Sequence, residues 1–261
     1  MRPHHERAVR KLADHFANED GFLAVIVGGS IAKEVASEYA DIDVMLVVTD
    51  ELYEERKAGN GLLYFSTDFC DYPGGYVDGK IVNLDYVKAA ADRGNEPTRA
   101  AFSGALVAYS AIPGLDDLIS RIPVYQTGEQ EEKLRCFRAQ FECAYWYLGE
   151  AIRKDDKYLL THSVSSLVLY GGRLILALNG VLYPYHKLFM GELRKASEKP
   201  ADLMELIDAL LEEPNAEHAR AFHDAIMGFR QWGEPSELWP VRFMKDTELA
   251  WMDGRAYIGD T

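Results

Sequence analysis

The first 113 residues alternate short apolar runs with amphipathic segments. The run Ile42–Val48 is almost continuously apolar, which is typical of a strand covered on both faces of a sheet. The dipeptide Asp78-Gly79, between two apolar segments, predicts the turn of a β-hairpin. The same patterns predict further strands at Phe22–Val27, Leu62–Ser66, Lys80–Tyr86 and Leu106–Tyr109, and helices at Glu6–Phe16, Ser30–Ser37 and Val87–Arg93.

Beyond Pro113 the apolar residues recur at helical spacing. Long amphipathic helices are predicted over Glu131–Arg153 and over Ser163–Leu178, the second ending at Asn179-Gly180. We expect a bundle of about five helices. The predicted fold class is therefore α+β: a mixed sheet with flanking helices in residues 1–115, and an all-α helical bundle in residues 125–261. Residues from about 114 to 128 are predicted to link them.

Composition narrows the class of protein. The chain has 261 residues and a net charge of −14, from 42 acidic and 28 basic side chains. This charge disfavours nucleic acid as a partner, because a phosphate backbone needs a basic surface, and it is compatible with a cationic substrate. Three cysteines without a Cys-x-x-Cys pair indicate a reducing compartment. We find no signal-peptide core and no apolar run of membrane-spanning length, so a soluble, cytoplasmic protein is expected.

The candidate chemistry lies around the apolar strand. Asp41 and Asp43 flank its first residue, and side chains two apart on a strand point to the same face. Two clustered carboxylates repel each other unless a cation lies between them, and a hard divalent cation suits oxygen ligands. Upstream, the turn Gly28-Gly29-Ser30 precedes a predicted helix and offers backbone N–H groups to a phosphate. Together these features indicate phosphoryl or nucleotidyl transfer.

Gly29-Ser30, ten intervening residues and then Asp41-x-Asp43 resemble the signature of the DNA polymerase β-like nucleotidyltransferase superfamily. The resemblance implies Mg²⁺ bound by Asp41 and Asp43, with ATP as co-substrate. It also implies a third carboxylate on a neighbouring strand, and Asp85 in Ile81–Val87 is the candidate, as metal ligand, general base or both. The phosphates would lie against Gly28, Gly29, Ser30 and Lys33. One departure is Lys33-Glu34, where small members of the family often carry Arg-Gly.

The helical half is similar to that of the aminoglycoside and lincosamide adenylyltransferases, in which it closes the cleft. Ser166, Arg173 and Lys187 are its candidates for contacting the triphosphate. A plainer interpretation stays open beside this one: Arg173 as a charge on a helix surface and Lys187 as a solvated loop residue.

The function predicted from these features is transfer of AMP from ATP to a hydroxyl of a small, hydroxylated molecule, with a cationic aminoglycoside-like antibiotic as one candidate. Two alternatives stay open. One is a protein adenylyltransferase resembling small nucleotidyltransferase antitoxins, and the other is a catalytically silent nucleotide-binding scaffold. The three carboxylates speak against the silent scaffold, and the oligomeric state is left open.

Overall fold

The computed structural model describes residues 1–233 and 238–254, and its contacts divide the chain into one unit of Met1–Val124 and a second from Tyr125 onward. Residues 234–237 and 255–261 of the predicted second domain lie outside the described residues. The first unit contains α1 (Pro3–Phe16), β1 (Phe22–Val27), α2 (Gly29–Ala32), β2 (Ile42–Val48), α3 (Asp50–Ala58), β3 (Leu63–Ser66), β4 (Val77–Asn83), α4 (Leu84–Arg93), α5 (Glu96–Ala101), β5 (Leu106–Ser110) and α6 (Leu115–Ser120).

The five strands form one mixed sheet in the order β3-β4-β2-β1-β5. Strands β2 and β4 are parallel, and the other neighbours are antiparallel. The central strand β2 divides its side chains between two cores: Leu46 packs on one face, and Met45 and Val47 on the other. Its continuous apolar run follows from this burial on both faces. The α+β class predicted from the sequence is confirmed.

The predicted hairpin turn at Asp78-Gly79 is wrong. Both residues lie inside the continuous strand β4, where Asp78 is opposite Asp43 and Gly79 is opposite Val44. A Cβ atom on Gly79 would lie 1.9 Å from the carbonyl oxygen of Val44. The glycine therefore allows two parallel strands to approach closely, which is the other common reason for a glycine within a strand.

The predicted link also differs from the structure. Residues Leu115, Ile119 and Ile122 are buried in a core of the first unit, together with residues of the sheet. Leu115 and Ile119 lie in helix α6, and Ile122 lies in the turn after it. These apolar residues pack against one face of the sheet, as expected for an amphipathic helix. The first unit consequently extends to Val124.

The described residues of the second unit form helices and connecting loops, without a strand. Its helices are α7 (Gln130–Lys154), α8 (Lys157–Leu178), α9 (His186–Lys195), α10 (Leu203–Glu212), α11 (Ala216–Phe229) and α12 (Trp239–Asp246), with short 3-10 helices at Thr127–Glu129 and Ala250–Asp253. Helices α7 and α8 pack along each other and supply most of a single large core.

Helix α8 is 22 residues long, and its most apolar stretch has a mean hydropathy of 1.3, so it has the length and composition of a membrane-spanning helix. The expectation that no segment of the chain reaches this length is therefore wrong. However, 61% of its most apolar stretch is buried among the other helices. Such burial is typical of the central helix of a bundle, which is apolar because neighbours surround it.

Candidate metal and nucleotide site

Three carboxylates converge at one end of the parallel strand pair β2 and β4. Asp41 immediately precedes β2, Asp43 is its second residue, and Asp78 is the second residue of β4, directly opposite Asp43. One carboxylate oxygen from each lies within 4.8 Å of the others. None of the three side chains is buried, so the group is open to a ligand. The pair expected from the Asp-x-Asp motif is present, and Asp78 joins it.

Asp85, the predicted third carboxylate, lies elsewhere. The strand expected over Ile81–Val87 ends at Asn83, whose side chain accepts a hydrogen bond from the amide of Tyr86 and caps α4. Asp85 is therefore in the first turn of a helix, exposed, with its carboxylate 3.3 Å from the ammonium group of Lys88. An acid in a first helical turn is favoured by the helix dipole, which explains its presence without a metal.

Two glycines make the cluster possible. Gly29 has a φ of +62°, and a Cβ atom there would lie 1.7 Å from Oδ2 of Asp43. Gly79 allows β4 to approach β2 at the position next to Asp78. A side chain at Gly29 would thus collide with the Asp43 carboxylate, and one at Gly79 would push β4 away from β2.

Aromatic side chains lie beside the carboxylates. The hydroxyl of Tyr76 donates a hydrogen bond to Oδ2 of Asp41 at 3.1 Å. This bond raises the pKa of Tyr76, and the negative charges of Asp41, Asp78 and Asp43 raise it further. The ring of Phe65, 61% exposed, lies 5.5 Å from the Tyr76 ring, and Phe65 is opposite Asp78 across the sheet. A bound molecule would therefore meet both charge and an aromatic surface here.

The Gly-Ser turn lies at the end of β1, next to the same strand. The amide of Gly28 donates to the carbonyl oxygen of Asp43 at 2.9 Å, so it fixes the turn to β2. Gly29 and Ser30 begin the single-turn helix α2, and the partly buried Lys33 follows that helix. The Gly28 amide is thus engaged within the protein, where it positions the turn.

The predicted phosphate ligands of the helical unit have different surroundings. The guanidinium of Arg173 is buried, 1% exposed, and lies 4.1 Å from the ring centre of Phe137 and 4.7 Å from that of Tyr183. The interpretation of Arg173 as a surface charge is therefore wrong. Lys187 is exposed in the first turn of α9, and Ser166 lines a cleft within the helical unit. Their contact with a triphosphate stays a prediction.

The three carboxylates fit a hard divalent cation. They supply only oxygen ligands, and they are close enough to share one ion. In the described part of the chain, no other three His, Cys, Asp or Glu side chains bring their ligand atoms this close together. Asp78 was missed from the sequence because Asp-Gly is a strong turn signal. Apolar residues continue on both sides of Asp78, and this pattern could have indicated a single continuous strand.

Comparison with known proteins agrees at the level of the fold. The chain matches no protein-family model, and no curated protein matches it by sequence. Among solved structures it is similar to a nucleotidyltransferase-like protein from Exiguobacterium sibiricum, at 13% identity and a TM-score of 0.50, over 96% of this chain and 80% of that one. The chain therefore has a nucleotidyltransferase-like fold.

Proposed function

We propose that this protein is a Mg²⁺-dependent nucleotidyltransferase that transfers AMP from ATP to a hydroxyl of a small molecule. The observation that carries the proposal is the Asp41, Asp43 and Asp78 cluster beside the Gly28-Gly29-Ser30 turn. Carboxylates beside a turn rich in backbone amides are what positioning of a charged triphosphate requires. Such an enzyme works where ATP is abundant, which is consistent with the cytoplasmic location expected from the cysteines.

Each residue of the site has a role in this proposal. Asp41 and Asp43 hold Mg²⁺, which when bound neutralises charge on the phosphates. The amides of Gly29 and Ser30, with the side chain of Lys33, orient the phosphates. Asp78, rather than Asp85, is the third carboxylate and accepts the proton of the attacking hydroxyl. Tyr76 holds the Asp41 carboxylate in position through its hydrogen bond.

The acceptor is proposed to be small, hydroxylated and cationic. The site is rich in acids, and the chain carries a net charge of −14. The exposed Phe65 ring beside Tyr76 gives an amine or a sugar face an aromatic surface on which to lie. Aminoglycoside-like antibiotics combine these properties, so they are the first acceptors to test.

The test uses ATP labelled at the α-phosphate, Mg²⁺ and a panel of aminoglycosides, lincosamides and hydroxylated metabolites. We expect label on one small-molecule class, with none formed by an Asp43→Asn variant. Label on protein instead would identify a protein adenylyltransferase. Binding of ATP without transfer to any acceptor would identify a nucleotide-binding scaffold and contradict the proposal.

A further inference from the structure

The segment that leads into β2 is irregular, although it ends at a carboxylate of the cluster. Residues 33–41 form turns and loop, and Asp41 is the last of them. A loop lacks the regular ladder of backbone hydrogen bonds that fixes a residue inside a strand. Asp41 also lies close to two like charges, which push it away from the cluster while no cation is bound. Contacts from outside this segment must therefore hold Asp41 in position.

Those contacts come from the loop that precedes β4. The hydroxyl of Tyr72 donates a hydrogen bond to the carbonyl oxygen of Ala40 at 2.8 Å. On the other side of Asp41, the amide of Ile42 donates to the carbonyl oxygen of Tyr76 at 3.0 Å. The main chain is thus fixed immediately before and immediately after Asp41.

The Tyr72 side chain is itself held from several sides. A Cβ atom on Gly75 would lie 2.6 Å from Cε2 of Tyr72, so the ring lies directly over that glycine. The rings of His4 and His5 lie 4.5 Å and 5.1 Å from the Tyr72 ring. The thiol of Cys70 donates to the Tyr72 hydroxyl oxygen at 3.7 Å. A tyrosine hydroxyl has one proton to donate, and the backbone carbonyl receives it.

We infer that Tyr72 is a positioning residue for the metal site, because its hydroxyl fixes the main chain at Ala40 and thereby the position of Asp41. Tyr76 orients the Asp41 carboxylate itself, whereas Tyr72 fixes the backbone that carries it. Residues that hold a metal ligand in place typically change metal affinity about 10- to 100-fold when they are substituted. The inference rests on the metal site of the proposed function, but it requires neither the small-molecule acceptor nor the transfer of AMP.

The test is a titration of the full chain with Mn²⁺ in the absence of nucleotide, followed by the electron paramagnetic resonance signal of free Mn²⁺. We expect saturable binding that Asp41→Asn weakens strongly. Tyr72→Phe keeps the ring over Gly75 and removes only the hydroxyl, and it should weaken binding about tenfold. Tyr86→Phe is the matched control, because Tyr86 is also half-buried and lies in α4, beyond the other end of β4. It should change the affinity by less than about twofold, since it contacts no metal ligand.

The same variants separate positioning from a purely structural role. The titrations are made well below the melting temperature of each metal-free protein, which is measured in parallel. A lowered melting temperature of Tyr72→Phe with an unchanged Mn²⁺ affinity would show a structural role only and would overturn the inference. So would an equal loss of affinity in Tyr86→Phe. An unsubstituted protein that binds no Mn²⁺ would instead contradict the metal site and the proposed function with it, so the two failures are distinguishable.

The Mg²⁺ dependence of AMP transfer gives a second readout. For Tyr72→Phe, the Mg²⁺ concentration at half-maximal rate should rise about tenfold, while the maximal rate stays within about twofold, because all three carboxylates remain. A lower maximal rate with an unchanged Mg²⁺ requirement would contradict a role through Asp41.

Discussion

The two units use their polar side chains in opposite ways. In the first unit, three carboxylates are clustered at an accessible sheet end, where they repel each other. In the helical unit, two charged or titratable groups pack against internal partners: Arg173 lies against two rings, and the partly buried His223 contacts Glu142 at 3.1 Å. Groups selected for a ligand are therefore expected to reduce stability, whereas groups selected for packing are expected to increase it. Substitutions in the two units should separate function from stability.

The largest expected effect is on activity. Asp43→Asn and Asp78→Asn should each reduce AMP transfer at least about 10³-fold, because each removes charge that positions the triphosphate or the attacking hydroxyl. Their free energy of unfolding should be unchanged or higher by up to about 1 kcal/mol, since repulsion is relieved. Initial rates and urea denaturation measure the two quantities.

Asp85→Asn is the matched control for this prediction. Asp85 forms an exposed ion pair with Lys88, and such a pair contributes little. We expect the rate of AMP transfer by Asp85→Asn to stay within about twofold of that of the unsubstituted protein, as is usual for substitutions at exposed positions. A large loss in Asp85→Asn together with an active Asp78→Asn would reverse the assignment and restore the carboxylate first chosen from the sequence.

The next effect concerns glycines. Replacing a glycine by alanine should lower the free energy of unfolding in the first unit and raise it in the helical unit. Gly79→Ala places a Cβ atom 1.9 Å from the Val44 carbonyl oxygen, so β4 must move away from β2. We expect a loss of about 1–3 kcal/mol in stability and a loss of transfer, because Asp78 moves with its strand. Gly149→Ala in α7, with no atom within 4 Å of the new methyl group, should add about 0.5–1 kcal/mol. Urea denaturation monitored by circular dichroism compares them, and a stable, active Gly79→Ala would show that β4 is not constrained there.

A third prediction separates packing from phosphate binding at Arg173. Its planar guanidinium lies against the rings of Phe137 and Tyr183, a desolvated arrangement worth about 2 kcal/mol. Arg173→Lys should therefore reduce stability by about that amount, while the KM for ATP stays within about twofold, because a guanidinium packed against two rings is not expected to contact phosphate. A stable variant with a strongly raised KM would instead support the triphosphate contact predicted from the sequence.

The sequence was informative where the signal is local. The Asp-x-Asp pair, the Gly-Ser turn and the central strand all follow from short patterns, and the structure contains each of them. Asp78 was missed because the local Asp-Gly pattern predicts a turn, and the information that places it within a strand is non-local. Only the parallel register with β2 shows that Asp78 faces Asp43. Likewise, nothing in the sequence of α8 distinguishes a surface arginine from one that meets Phe137 on another helix.

The smallest effect is on the pH dependence of stability, which should differ in sign between the buried His5 and the partly buried His223. Burial lowers the pKa of His5 in the first unit, and positive neighbours lower it further. Its folded pKa lies below the unfolded value of about 6.5. The stability linked to His5 is therefore complete above that pH and is lost as the pH falls towards the folded pKa.

His223 in the helical unit should behave in the reverse way. Burial alone would lower its pKa, but hydrogen bonds from its ring to Glu142 and Asp224, with their charges, outweigh burial and raise it. The folded state binds the proton more tightly, so this contribution is complete below about pH 6.5 and is lost as the pH rises through the folded pKa. Urea denaturation from pH 5 to 8 should show His223→Gln removing the loss on the alkaline side, and His5→Gln should change only the acidic side. If both variants altered the same side, the carboxylate partners would not determine how His223 titrates in this protein.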